Sequence, residues 1–122
     1  MSTQNESGLK SFLASGAISA FRAVDLQSDG TITPVAGNAS IGIGITQQDI
    51  ADAGYGEVRL WTAPGTFLIA VTGTAVTPAT NYSIVTGGFA GAVNGTFGPA
   101  SLVAIQSGVA SNGIILEFVS KN

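Results

Sequence analysis

The side chains that could do chemistry in this chain are its carboxylates and hydroxyls, because it contains no histidine and no cysteine. A histidine-based triad, a thiolate nucleophile and a histidine- or thiolate-bound metal are therefore excluded. The closest carboxylate pairs are Asp25 with Asp29 and Asp49 with Asp52. A glycosidase needs two carboxylates facing across a sugar-sized cleft, and a hard cation needs several oxygen ligands. Neither pattern is visible, so we predict no enzymatic activity, no cofactor and no metal site.

The local sequence predicts structural roles for these aspartates. Asp29 lies in "SDGT" between two alternating runs, where Asp-Gly is a strong signal for a β-hairpin turn. The stretch from Thr46 to Asp49 matches a capping box, with Thr46 as the N-cap of one helical turn that ends at Gly54.

The composition argues against charged partners. Only 9% of the residues are charged, the net charge is −3, and the four basic residues are scattered along the chain. Nucleic-acid binding needs clustered Lys or Arg, so we predict no nucleic-acid partner and no association with a membrane surface. No apolar run is long enough to cross a bilayer, and residues 10–20 lack the basic start of a signal peptide. We therefore expect synthesis in a cytoplasm.

Short β-rich segments separated by glycine-containing turns predict an all-β fold, a small sandwich or barrel-like domain. Residues 17–37 align with 75–95 without a gap, and further matches pair 40–45 with 101–106 and 55–61 with 112–118. Chance matching of glycine-rich segments is the alternative to duplication. We predict one domain over 17–122, built from similar halves at about 17–62 and 75–119 and related by an approximate two-fold.

Two kinds of residue in these halves raise questions of packing. Gly42 and Gly44 alternate with isoleucines in one strand, and they leave room either for a tight barrel corner or for another subunit. Trp61 and Phe118 close aligned strands, which predicts paired core anchors rather than a platform for stacking sugars.

The N-terminal segment, residues 1–16, is polar and then weakly apolar, without a period. It could pack on its own domain or lie as an extended N-terminal arm on a neighbouring subunit. We predict the arm over residues 1–16. The predicted contacts with another protein subunit are Leu9, Phe12, Leu13, Gly42 and Gly44.

The segment "ISAFRAVDLQSDGTITPVAGNASIGIGIT" (18–46), with its second copy, resembles the small capsid cement, or decoration, proteins of tailed bacteriophages. The resemblance covers residues 17–119, and this chain departs from the family in its longer arm and in "TFGPASLVAIQ" (96–106). It implies a virion protein on the outer capsid surface that clamps adjacent subunits of the major capsid protein, often as a homotrimer. The alternatives are a carbohydrate- or receptor-binding β module of a phage fibre and, third, a small enzyme.

Overall fold

The computed structural model describes residues 8–36, 42–63, 65–72, 76, 78, 81–85, 87–92, 102–108 and 113–120, and these contain strands, turns and bridges but no helix. The strands in chain order are β1 Leu9–Ala14, β2 Ala23–Leu26, β3 Thr31–Pro34, β4 Gly44–Thr46, β5 Tyr55–Leu60, β6 Phe67–Val71, β7 Asn81–Val85, β8 Phe89–Ala92, β9 Leu102–Ala104 and β10 Ile114–Ser120. The predicted all-β fold with two similar halves is confirmed.

The strands form two closed barrels, which we call barrel 1 and barrel 2. Barrel 1 has the strand order β1-β3-β2-β4-β5, and barrel 2 has the corresponding order β6-β8-β7-β9-β10. In each barrel the first strand runs parallel to the third and antiparallel to the fifth. All other described pairs are antiparallel. The two halves therefore share one topology, including the less common parallel pair.

Strand register defines which residues are equivalent. Val24 pairs with Pro34, and Tyr82, which the sequence alignment matches to Val24, pairs with Ala92. The predicted alignment therefore holds in the second and third strands of each barrel.

The predicted match of 40–45 with 101–106 is wrong, because Gly44 pairs with Val24 as Leu102 pairs with Tyr82. Thr46 pairs with Val58 as Ala104 pairs with Phe118. Phe118 is therefore the counterpart of Val58, and its predicted equivalence to Trp61 is wrong. In the first strands Ser15 corresponds to Thr72, because Ser15 N donates to Ile32 O as Thr72 N donates to Ala90 O.

Each barrel has an apolar interior, and the two interiors differ in extent. Barrel 1 encloses a small aliphatic cluster: Ala14, Ile18, Val24, Ile32, Ile50 and Val58. The larger cluster fills barrel 2 around Phe67, Tyr82 and Phe118, and it also includes Ala23, Val35 and Ile45 of barrel 1. The core-anchor role predicted for Phe118 is confirmed, since it is fully buried, and Trp61 packs against the same cluster. The larger core therefore spans both barrels.

The structure corrects the predicted N-terminal arm over residues 8–16. Leu9–Ala14 forms β1, which closes barrel 1 through five register pairs with β5 and also pairs with β3. The inward positions Phe12 and Ala14 supply the apolar contacts, while Lys10 interrupts the pattern that would have marked a strand. Barrel 1 therefore begins at β1 and not at residue 17. Residues 1–7 lie outside the described residues.

The predicted helical turn after Thr46 is also wrong. Thr46 is the last residue of β4 and is fully buried. Its hydroxyl donates to Ser19 O at 2.8 Å and accepts from Arg22 N at 3.1 Å. The Thr46 side chain therefore does not cap a helix. Its hydrogen bonds hold the segment before β2, which offers it both an acceptor and a donor.

Candidate functional site

The joint between the barrels is made by backbone hydrogen bonds as well as side chains. Ala23 N donates to Gly88 O at 2.9 Å, and Gly87 N donates to Val35 O at 2.7 Å. A Cβ at Gly88 would lie 2.3 Å from Ala23 O, so only glycine allows this approach. At Gly30, the counterpart of Gly88, a Cβ would meet nothing within 4 Å. The joint is therefore head-to-tail, and the predicted two-fold relation is wrong.

Two arginines of barrel 1 pack on phenylalanine rings of barrel 2. The guanidinium carbon of Arg22 lies 4.3 Å from the Phe89 ring centroid, and that of Arg59 lies 5.2 Å from the Phe67 centroid. Cation–π contacts of this kind strengthen as the pair loses water. Burial lowers the pKa of Arg22, while the nearby charge of Asp49 acts in the opposite direction. Both arginines of the chain therefore contribute to the joint between the barrels.

A shallow groove of about 350 Å³ crosses the surface at this joint. Its lining comes from barrel 1 through Gln47 and Arg59, and from barrel 2 through Thr66, Leu68 and Glu117. The Thr66 hydroxyl donates to the Glu117 carboxylate, and Gln47 Nε2 donates to Ile45 O at 2.9 Å. These polar groups of the groove therefore already have partners within the chain.

Gly42 and Gly44 face backbone of their own barrel. A Cβ at Gly42 would lie 2.2 Å from Val24 O, and one at Gly44 would lie 2.2 Å from Arg59 O. Gly42 also has φ +74°, a conformation that favours glycine. The barrel-corner alternative thus accounts for both residues. Their predicted contact with another subunit stays a prediction.

The predicted contact residues of β1 do not converge on one surface. Phe12 packs against the barrel 1 core. Leu9 and Leu13 lie on the opposite side of the strand, where they pair with Arg59 and Tyr55. Leu9 and Leu13 are half-buried, so both remain candidates for contact with another protein.

The carboxylates hold loops in place. Asp52 Oδ1 accepts from Gly16 N at 2.9 Å, and Asp49 Oδ1 accepts from Ala20 N at 2.8 Å. Together with a bridge between Ile18 and Ile50, they tie the β1–β2 loop to the β4–β5 loop. Among the described residues no group of three acidic side chains could hold a metal ion.

Asp29 has the hairpin role that its sequence predicts. Its Oδ1 accepts from Thr31 N at 3.0 Å and from Thr31 Oγ1 at 2.6 Å. The Thr31 hydroxyl and amide lower the pKa of Asp29 below its ordinary value.

Two exposed apolar side chains repeat between the barrels. Tyr55 pairs with Leu13 on β1, and Ile115 occupies the same place on β10, paired with Ala70 on β6. Their exposed fractions are 73% and 41%. This pair was not predicted from the sequence, because β5 was aligned with β10 three positions out of register. The signal was available, since each of the two residues stands two positions before a glutamate that is followed by an apolar residue.

None of the described residues forms a helix that is long and apolar enough to cross a membrane. No family model matches this chain, and no curated protein matches it.

A solved structure does resemble it: the crystal structure of the N base of head fiber gp8.5 in bacteriophage phi29. The TM-score is 0.69 at 17% sequence identity, over 93% of this chain and 94% of that chain. At this identity the likeness establishes the fold alone. Its coverage is wide enough to include both barrels.

Proposed function

We propose that this chain is a structural virion protein of a tailed bacteriophage. In this proposal it binds the outer capsid surface as a homotrimer and clamps adjacent major capsid subunits. The observation that carries the proposal is the likeness of both barrels to the base of a phage head fiber. The role needs no catalysis, and the absence of enzymatic activity stays a prediction.

The proposed capsid contact centres on Tyr55 and Ile115. A repeated protein that binds a repeated surface should present the same kind of side chain at equivalent positions, and these two are apolar and exposed. Leu13 lies beside Tyr55 and adds to the apolar area. A tyrosine at such a position combines a large apolar body with a hydroxyl that can stay hydrated.

Stabilisation of the capsid would follow from mass action. A ligand that binds the assembled shell but not free subunits lowers the free energy of the assembled state. At a free concentration of 100 times Kd, each bound site contributes about 2.7 kcal/mol.

The first test is to purify virus particles from the native source and to ask by mass spectrometry whether the protein copurifies with them. Particles stripped of the protein are then reloaded with wild type, Ile115→Asp or Tyr55→Asp. We expect the two variants to load at least tenfold less well and to leave the shell less heat-stable. Gln48→Asp adds the same charge at an exposed position of the β4–β5 loop and should load normally. Particles that lack the protein, or equal loading of all variants, would contradict the proposal.

A carbohydrate- or receptor-binding module of a phage fibre is the second candidate. The exposed ring of Tyr55 and the head fiber likeness favour it. Among the described residues, however, Tyr55 is the only aromatic side chain with high exposure, so a stacking platform would rest on a single ring. Glycan-array binding that is lost in Tyr55→Ala, together with unchanged capsid loading, would favour this function.

A further inference from the structure

The joint inside the chain uses two different surfaces. Barrel 1 contributes what we call the β4 face: Ala23, Val35, Ile45, Gln47 and Arg59. Barrel 2 contributes what we call the hairpin face, formed by the start of β6 and the β7–β8 turn: Thr66, Phe67, Leu68, Ala70, Gly87, Gly88 and Phe89. Because the barrels are equivalent, barrel 1 carries a second hairpin face, formed by the start of β1 and the β2–β3 turn. Barrel 2 likewise carries a second face of the β4 kind, formed around β9, which we call the β4-type face.

Within the described part of the chain, residues of these second faces are more exposed than their counterparts in the joint. On barrel 1, Gly30 at the turn is exposed and has open space around it, whereas its counterpart Gly88 is buried against Ala23. On barrel 2, Val103 is partly exposed, whereas its counterpart Ile45 is completely buried in the joint. A head-to-tail contact between like units leaves complementary surfaces at the two ends, which further copies can fill.

The side chains on the open faces suit such a contact. Gln47 and Thr66 line opposite sides of the groove at the internal joint. By register, their counterparts are Ile105 on barrel 2 and Leu9 on barrel 1. Ile105 is 41% exposed and Leu9 is half-buried. In a contact between two copies, Ile105 of one copy would therefore meet Leu9 of the other. The internal joint has the polar residues Gln47 and Thr66 at this position.

We propose that a second copy of this chain docks the hairpin face of its barrel 1 on the β4-type face of barrel 2, with Leu9 against Ile105, so that copies join head-to-tail into a ring. This inference deepens the proposed function and rests on it, because it names the surface by which the homo-oligomer forms.

The test uses the full chain in solution without capsids, so it can fail separately from capsid binding. Sedimentation velocity should give a multiple of the chain mass for wild type and a single-chain mass for Ile105→Asp. Gln48→Asp is the matched control, since it adds the same charge at an exposed position that belongs to neither open face. It should remain oligomeric. Monomeric wild type, an Ile105→Asp variant as large as wild type, or equal loss in both variants would overturn the proposal.

A mixing experiment tests the head-to-tail geometry itself. Leu9→Lys alters the hairpin face of barrel 1, and Ile105→Asp alters the β4-type face of barrel 2, so each variant alone should be monomeric. Mixed in equal amounts, they should form a one-to-one dimer and nothing larger, because one intact face of each kind remains. Thermal unfolding of each variant checks that barrel 1 is still folded. Folded variants that stay monomeric when mixed would overturn the proposal.

Discussion

The turns of the two equivalent hairpins share one hydrogen bond and one glycine conformation, but their surroundings are opposite. Gly30 N donates to Gln27 O at 2.9 Å, and Gly88 N donates to Val85 O at 3.0 Å. The φ angles of the two glycines are +87° and +81°. The barrel 1 turn is exposed, and Asp29 accepts hydrogen bonds at its end. The barrel 2 turn is buried in the joint, where Gly87 takes the place of Asp29.

The difference shows that equivalent strands do not fix the whole turn: Gly87 has φ +88°, whereas Asp29 has no positive φ, and only Gly88 approaches the backbone of the other barrel. An aspartate at the position of Gly87 would have its Cβ 3.2 Å from the Phe89 ring at a φ of +88°, and its charge would lie at the edge of the joint. Charged groups are costly to bury without a partner.

The largest expected effect on stability comes from adding one methyl group at the barrel 2 turn, compared with the same change at the barrel 1 turn. Gly88→Ala should lower the free energy of unfolding by about 3 kcal/mol, because the new Cβ collides with Ala23 at a positive φ. Gly30→Ala is the matched control, and it should lower that free energy by only about 1 kcal/mol from the φ effect. Urea unfolding measures both. Equal losses would mean that the joint does not depend on the close approach at Gly88.

A smaller effect is expected at the loop before the last strand of each barrel. Ala53 N donates to Ala14 O, and its counterpart Gly113 N donates to Val71 O. Ala53 has φ +60° and Gly113 has φ +81°. Because Ala53 is exposed, Ala53→Gly relieves strain without losing packing, and it should raise the free energy of unfolding by about 0.5–1 kcal/mol.

Gly113→Ala is the reverse change in barrel 2, where a Cβ would meet nothing within 4 Å. It should lower the free energy of unfolding by about 1 kcal/mol. Thermal unfolding of both variants measures the difference. A stabilising Gly113→Ala would show that the two loops are not conformationally equivalent.

The smallest expected effect is the pH dependence of the exposed hairpin. The native pKa of Asp29 lies below its ordinary value of 3.8, so ionised Asp29 stabilises the folded state. This stabilisation is present above the ordinary pKa and is lost as the pH falls through the lowered native pKa. Asp29→Ala should therefore be slightly less stable than wild type at neutral pH and should match it in strong acid. A difference that persists in acid would assign the effect to something other than the carboxylate.

The repeat could be predicted from the sequence because the middle strands of both barrels keep a constant spacing and similar turns. Leu26 and Ile84 occupy equivalent strand positions, and Gly30 and Gly88 occupy equivalent turns. The first and last strands of each barrel were harder to align from the sequence. In β1, the exposed Lys10 stands on the strand face of Phe12 and Ala14, which hides the alternation, whereas its counterpart Phe67 is apolar and buried.

The candidate site was less accessible to sequence reasoning. A repeat specifies that two units are alike but not how they pack, so the head-to-tail joint was not predicted. Gly42 and Gly44 were correctly identified as places of close approach, yet the approaching backbone belongs to the same barrel. Tyr55 and Ile115 became a pair only when strand register was known.

The order of strands along the chain has a consequence for folding. All strands of barrel 1 precede β6, so this barrel can close as the chain leaves the ribosome, before barrel 2 is complete. Closure joins β1 to β5 across nearly the whole unit, which makes it a slow step compared with hairpin formation. During that interval Ala23, Val35 and Ile45 have no barrel 2 to cover them, and the half-made protein exposes an apolar, aggregation-prone surface.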